Sequence, residues 1–238
     1  DSALYRALNG LLAQDENVRK DVALGVIPNG WGNDFAHFWG FEEGHHKQTI
    51  NSLVKRRVRR VDVGCCHYGE GLQNKRYFLN CVNVGLVAKM MMIKHKTRCF
   101  WGLTVMSHVA SIIMLLFQRM EQKMHLKVNT DDINRSLMTV CVGSAKGYGQ
   151  TPSAVPYNGL LDVSVVSHSG LTQMAEAIYM LLRGSFLNHK AVRSYRTREV
   201  MIYDRGKAKV SLDGTEWRDA GDVFKITIQQ EWINFIIP

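Results

Sequence analysis

What most constrains this chain is a change of texture near residue 53. From there to the C-terminus, short β-like runs recur at 54–64, 77–85, 137–143, 161–168, 199–203, 208–212 and 223–229. Only 103–123 and 171–183 between them read as helical. Many short strands with few helices predict a β-sandwich or barrel-like unit rather than a parallel sheet. The first 53 residues differ. Leu4, Leu8, Leu11 and Leu12 recur at helical spacing, and the apolar run 22–27 reads as a buried strand. A Gly-rich loop then leads into a second helical stretch, the α/β order in which loops at strand C-termini bind ligands. The predicted fold class is α/β plus β, with 1–53 as the α/β part and 54–238 as a β-sandwich with two helices.

Composition removes other classes. The hydrophobic fraction of 46% excludes a disordered chain, and 20 Gly with 4 Pro exclude a collagen-like one. The five cysteines, Cys65, Cys66, Cys81, Cys99 and Cys141, are odd in number and form no C-x-x-C pair, so reduced thiols are expected. The first residue is Asp, with no basic n-region or apolar h-region, which predicts no signal peptide and a start inside a longer protein. The most apolar segment, 101–117, is about 17 residues long and falls short of the ~20 needed to span a bilayer. It also contains Ser107, His108 and Ser111, so a buried helix and no transmembrane segment is the expectation. The net charge of +9 favours an anionic partner without choosing among nucleic acid, membrane surface and phosphorylated ligand.

The stretch with most chemical content is Gly25-Val26-Ile27-Pro28-Asn29-Gly30-Trp31-Gly32-Asn33-Asp34-Phe35. Two glycines two apart before a helix start put bare N–H groups and a helix dipole where a phosphate can sit. Asn33 and Asp34 can cap the helix, add a hydrogen bond and offer a route to Mg²⁺. An ordinary strand–turn–helix corner is the alternative reading of the same spacing.

This loop resembles the G-x-x-P-x-G-T-G-N-D-[FW]-A signature of the diacylglycerol kinase-like lipid kinases. The resemblance runs along nearly the whole chain. Asp1-Ser2-Ala3-Leu4 followed by Leu8-Asn9-Gly10-Leu11 resembles the end of G-G-D-G-T-L-x-x-x-x-N-G-L. Val61-Asp62-Val63-Gly64, Arg76-Tyr77-Phe78-Leu79-Asn80 and Gly85-x-x-Ala88 follow the order V-D-x-G, R-x-F-x-N, G-x-D-A. Pro152-x-Ala154-x-x-x-Asn158-Gly159-Leu160-Leu161-Asp162-Val163 resembles P-x-A-x-x-x-D-G-x-L-D-V, and Leu212-Asp213-Gly214 stands where the family has V-D-G-E.

The resemblance implies a two-domain kinase with ATP in the cleft and Mg²⁺ assisting transfer of the γ-phosphoryl group to a lipid hydroxyl such as that of diacylglycerol. Residues 1–53 would be the C-terminal part of an incomplete nucleotide-binding domain, to which the last strand can return. Phosphoryl transfer needs positioning, charge neutralisation and a carboxylate to take the hydroxyl proton. Asp1, Asp213 and Glu216 are the implied catalytic residues. Ser2, Ala3, Gly30, Trp31, Gly32, Asn33, Asp34 and Gly214 would line the nucleotide, and Asn158, Leu160 and Asp162 would hold a structural Mg²⁺. The expected partner is a lipid substrate at a membrane surface, with a cytoplasmic location that extends to the inner membrane face; a homodimer is compatible with this reading.

Six positions depart from the family pattern. Ser2-Ala3 replaces Gly-Thr, Trp31 replaces Thr, Val87 replaces Asp, Asn158 replaces Asp, and Thr215 replaces Glu with Glu216 one residue late. In a strand that shift reverses the side chain unless a turn or bulge re-aims it. A non-catalytic nucleotide- or lipid-binding member is therefore the alternative function.

Other features carry blander readings. The basic run Lys55-Arg56-Arg57-Val58-Arg59-Arg60 can meet lipid headgroups or simply be a solvated connector, and no aromatic platform accompanies it to suggest nucleic acid. His45-His46 lacks metal-ligand spacing, and Met90-Met91-Met92 reads first as core packing. No G-x-S-x-G or local Cys–His signature supports a hydrolase.

Overall fold

The computed structural model describes residues 2–29, 33–89, 92, 121–146, 150–167, 176, 180 and 186–238. Four helices open the chain: α1 (Ser2–Leu12), α2 (Glu16–Asp21), α3 (Asp34–Phe38) and α4 (His46–Lys55), with the short strand β1 (Ala23–Leu24) after α2. The strands that follow are β2 (Val58–Tyr68), β3 (Asn74–Phe78), β4 (Cys81–Gly85), β5 (Gln122–Val128), β6 (Asp131–Gly143), β7 (Leu161–Ser167), β8 (Val192–Thr197), β9 (Glu199–Asp204), β10 (Val210–Leu212), β11 (Thr215–Glu216) and β12 (Phe224–Ile236). Among the described residues these strands join in one twelve-stranded sheet, along β11-β10-β4-β6-β5-β9-β12-β2-β3, with β7 and β8 branching from β6 and β1 from β12. Few helices beside a large curled sheet match the predicted α/β plus β class.

Several predicted boundaries move. The run 54–64 does not begin as a strand: α4 extends through Lys55 and ends on Arg56 in the left-handed region, so the strand starts at Val58. The run 77–85 is two strands, because a turn at Leu79-Asn80 separates β3 from β4. The end of the helix predicted over 103–123 is already β5, while 103–120 and most of 171–183 lie outside the described residues. Strands β5 and β8 are additions.

Two apolar clusters lie on opposite faces of the sheet, and strand alternation sorts residues between them. On β2, Val61 and Val63 face the helices while Cys66 faces the larger core. On β12, Phe224 and Ile226 face the larger core, and Ile233 and Phe235 face the helices. Leu4, Leu8 and Leu12, one turn apart on α1, fill the helical side with Phe35, Ala36 and Phe41. Asn9 anchors α1 to the sheet edge. Its side-chain amide accepts from Tyr77 N at 3.0 Å and donates to Tyr77 O at 2.9 Å, which supplies β3 with a strand-like partner.

The long β2–β12 pair contains an irregularity at which four steps on β12, Gln229 to Ile233, span two on β2, Val63 to Val61. The buried carboxylate of Asp62 sits opposite it. One oxygen accepts from Glu231 N at 2.8 Å and the other from Gly159 N at 2.6 Å, while Asp62 N donates to Pro156 O at 2.8 Å. A single aspartate thus satisfies the bulge and ties the 156–160 loop to the sheet.

Gly64 is required by close approach rather than by backbone twist. It pairs with Phe78 across β2–β3, and a Cβ on it would lie 2.0 Å from the Phe78 ring. The Gly64→Ala variant is expected to lose about 1–3 kcal/mol of stability, the usual cost of overpacking a filled core. A urea midpoint equal to that of the parent protein would refute the contact.

Candidate functional site

The turn between β10 and β11 is the most constrained part of the site. Asp213 and Gly214 both have positive φ, +46° and +78°, as a two-residue hairpin turn of the I′ kind demands. Leu212 pairs with Thr215 and Ser211 with Glu216, so no bulge re-aims Glu216. Its carboxylate lies 3.0 Å from Arg218 Nε and 3.8 Å from Lys209 Nζ.

Asp213 is 2% exposed. Its carboxylate accepts three backbone N–H bonds from the β3–β4 turn, from Leu79 at 2.8 Å, Asn80 at 2.8 Å and Cys81 at 3.0 Å. Asp213 N returns a bond to Cys81 O at 3.0 Å. The carbonyls of the same turn are filled from the other side, Leu79 O by Ser144 Oγ and Asn80 O by Ser144 N and Ala145 N. Burial pushes the Asp213 carboxyl up to about 6, against the pull of the three N–H donors.

Arg76 adjoins this nest. It pairs with Cys66 across β2–β3, its guanidinium lies 5.9 Å from the Tyr68 ring centre, and it is hydrogen-bonded to the hydroxyl of Tyr5 on α1. Burial raises Tyr5 above the ordinary phenol range, Arg76 lowers it, and the nearby Asp213 carboxylate raises it again. A cation, a phenol and a carboxylate from three separate segments therefore meet where α1 touches the sheet.

The predicted residues fall into three groups. Asp1, Gly30, Trp31 and Gly32 lie outside the described residues. Ser2 and Ala3 form the first turn of α1. Asn33 precedes α3 in the left-handed region, is buried, and donates through Nδ2 to Glu43 Oε1 at 2.6 Å; Asp34 opens the helix. Asn158 and Leu160 lie in the loop held by Asp62, where Leu160 N donates to Asn158 Oδ1 at 3.0 Å. Asp162, at the start of β7, faces Arg196 on β8 and accepts from its Nε at 2.9 Å.

These last three residues fit a divalent cation poorly. Mg²⁺ needs near-octahedral oxygen ligation at about 2.0–2.1 Å. Here one oxygen of Asp162 is taken by a guanidinium and the Asn158 oxygen by a backbone N–H. Among the described residues no three His, Cys, Asp or Glu side chains group to hold a metal ion. Thiol chemistry is also disfavoured, because burial pushes Cys65 up to about 11 and Cys66 well above the ordinary range. Cys81 is raised as well, by its bond with Cys141 and by burial.

Sequence reasoning left Tyr5, Asp62, Arg76 and Arg196 out of the site. Asp62 and Arg76 stood inside the quoted motifs, so a signal was present. Tyr5 and Arg196 carry none, since only α1 docking and the β7–β8 register place them.

Comparison with known proteins decides the family. The profile of the YegS C-terminal NAD kinase beta sandwich-like domain matches residues 80–229, and that of the diacylglycerol kinase catalytic domain matches 1–66. The chain belongs to the bacterial diacylglycerol kinase-like family. A diacylglycerol kinase of Bacillus subtilis (strain 168) is 23% identical over 219 residues, covering 90% of this chain and 68% of the relative. One from Mycobacterium tuberculosis is 21% identical over 187 residues, covering 76% of this chain and 59% of the relative. A family structure from Bacillus anthracis str. Sterne, described as a candidate diacylglycerol kinase, superposes with a TM-score of 0.71 at 18% identity, over 99% of this chain and 74% of its own. A second, from the same organism, gives 0.59 at 15% identity, over 91% and 67%. Among the described residues no helix is long and apolar enough to cross a membrane.

The Asp213 nest has a pH signature. A carboxyl whose folded value lies near 6, above the ordinary 3.8, favours the folded state while protonated, and that advantage is lost as pH rises through about 4 to 6. Relative to Asp213→Asn, the parent protein should lose about 2–3 kcal/mol of unfolding free energy between pH 4 and pH 7. Urea titrations of both across that range measure the difference, and a flat difference would refute the raised value.

Proposed function

We propose that the protein is an ATP-dependent lipid kinase that transfers the γ-phosphoryl group to a lipid hydroxyl such as that of diacylglycerol. The observation that carries this reading is the meeting of Arg76, Tyr5 and the Asp213 turn. It joins α1, from the segment that matches the kinase catalytic domain, to the hairpin in the segment that matches the sandwich domain. A guanidinium there can neutralise charge on a transferring phosphoryl group, and the phenol beside it can orient an oxygen.

The roles follow from the family resemblance. Asp1, four residues before Tyr5 in the sequence, is assigned as the base that takes the lipid hydroxyl proton. Ser2, Ala3, Gly30, Trp31, Gly32, Asn33, Asp34 and Gly214 are assigned to the nucleotide. Asp213 is a positioning residue, since both its oxygens already hold the turn. Mg²⁺ would enter on the ATP phosphates and supply charge neutralisation there. The acceptor would be taken from a membrane surface, near which the exposed run at 55–60 would add an attraction of about 1 kcal/mol per charge.

One observation favours a second reading. The carboxylate nearest the D-G-E position, Glu216, is ion-paired to Lys209 and Arg218, which leaves the expected second acid occupied. A nucleotide- or lipid-binding protein without catalysis would show that feature too.

A labelled-ATP assay of the full-length protein on mixed micelles of diacylglycerol separates the two. Phosphorylated lipid should form, and Arg76→Ala should lower kcat/KM by about 10²–10³, the usual effect of removing one transition-state donor. Product no greater than that of Asp1→Asn, with nucleotide still bound, would overturn the kinase reading in favour of the second.

A further inference from the structure

The loop that the family resemblance assigns to a structural Mg²⁺ is held here by hydrogen bonds. Asp62 fixes it at two points, donating to Pro156 O and accepting from Gly159 N at 2.6 Å, and its second oxygen is filled by Glu231 N. Asn158 closes a local turn on Leu160 N. Asp162, the one carboxylate left, is 12% exposed in its side chain and accepts from Arg196 Nε at 2.9 Å. The two are direct cross-strand partners in the β7–β8 ladder, so the contact is set by register.

We propose that Arg196 is a tethered cation that takes the place of the divalent ion in the 158–162 loop. Charge balance supports the exchange. The family pattern has two aspartates, at the positions of Asn158 and Asp162, which together neutralise a doubly charged ion. This chain has one aspartate and one amide, which neutralise a single guanidinium. Losing the divalent ion and one carboxylate while gaining one monovalent cation leaves these groups neutral in both cases. A hydrated Mg²⁺ placed beside Arg196 would instead set three positive charges against one carboxylate. Arginine suits the position because its charge is permanent and its planar fork matches a carboxylate edge.

The inference rests on the geometry of this loop, not on catalysis, and its test reads metal binding and stability. Mn²⁺ is the probe, followed by electron paramagnetic resonance on the nucleotide-free protein, with thermal unfolding in MgCl₂ and in EDTA alongside. The parent protein should bind no Mn²⁺ that is lost in Asp162→Asn, and its Tm should be the same in both solutions. Arg196→Ala should unfold roughly 2–4 °C lower in EDTA, recover in MgCl₂, and bind one Mn²⁺ that a second change, Asn158→Ala or Asp162→Asn, removes. Asn158→Ala serves if the Asp162 change prevents folding. Asp162-dependent Mn²⁺ binding by the parent protein would overturn the proposal. So would an Arg196→Ala variant that neither binds Mn²⁺ nor responds to MgCl₂, since Arg196 would then be an ordinary surface ion pair.

Discussion

The carboxylate of Asp213 is the contact on which the rest of the site depends. The turn between β3 and β4 cannot satisfy its own N–H groups, because Leu79 and Asn80 lie between strands that run to different neighbours. A buried N–H without a partner costs about 1–3 kcal/mol, and three are at stake. Asp213 takes all three and reaches them because its own turn is locked by two positive φ values. The hairpin, the β3–β4 turn and the segment after β6 thereby become one unit, and Arg76, two residues before Phe78 at the end of β3, is held at a fixed distance from it. The balance is fine: burial disfavours the charge that the N–H groups favour. A carboxylate spent in this way is poorly placed to relay protons to a substrate, so its service to chemistry is geometric.

Asp62 repeats the solution at the β2–β12 pair. Its oxygens receive N–H groups from the β12 irregularity and from the 156–160 loop, two backbone segments that the ladder leaves unpaired. The loop is then clamped from outside by aromatic packing. Tyr157 lies with Trp39 and Phe38 at the end of α3, and Arg59 stacks on its ring at 3.8 Å. Arg59 makes this contact while remaining part of the exposed basic run. The same loop therefore couples α3, and with it Asn33, to the sheet.

The parts of this arrangement that the sequence discloses are the local ones. β-branched runs mark most strands, and the helical leucines of α1 mark its buried face, because each depends on a period within a few residues. The strand β5 alternates clearly, with Met124, Leu126 and Val128 buried, yet it follows an apolar stretch that draws its start into a helical reading. The strand β8 has a polar, mostly exposed pattern and owes its conformation to pairing with β7. The pairs that matter chemically, Asp162 with Arg196 and Arg76 with Tyr5, join residues 34 and 71 apart in sequence. Nothing in either neighbourhood encodes the register or the helix docking that creates them. Asp213 was legible as a motif residue, but its burial was not, since only the three converging N–H groups make a buried aspartate tolerable.

Three of the departures from the family pattern share one direction. Val87, Thr215 and Asn158 each remove a carboxylate from a position where the family carries one. A kinase must neutralise phosphate charge, and carboxylates do so only indirectly, by holding Mg²⁺. Fewer carboxylates weaken that route, and on the kinase reading proposed above the remaining source of neutralisation is fixed protein cations. Arg196 beside Asp162 is the guanidinium proposed above in place of a carboxylate-held ion, and Arg76 beside Tyr5, which the family motif R-x-F-x-N already carries, is a second fixed cation. Arginine needs no second ligand to remain charged and presents a fork suited to phosphate or carboxylate oxygens. A site built on tethered cations trades the strong, exchangeable charge of a metal for a weaker charge whose position the sheet determines.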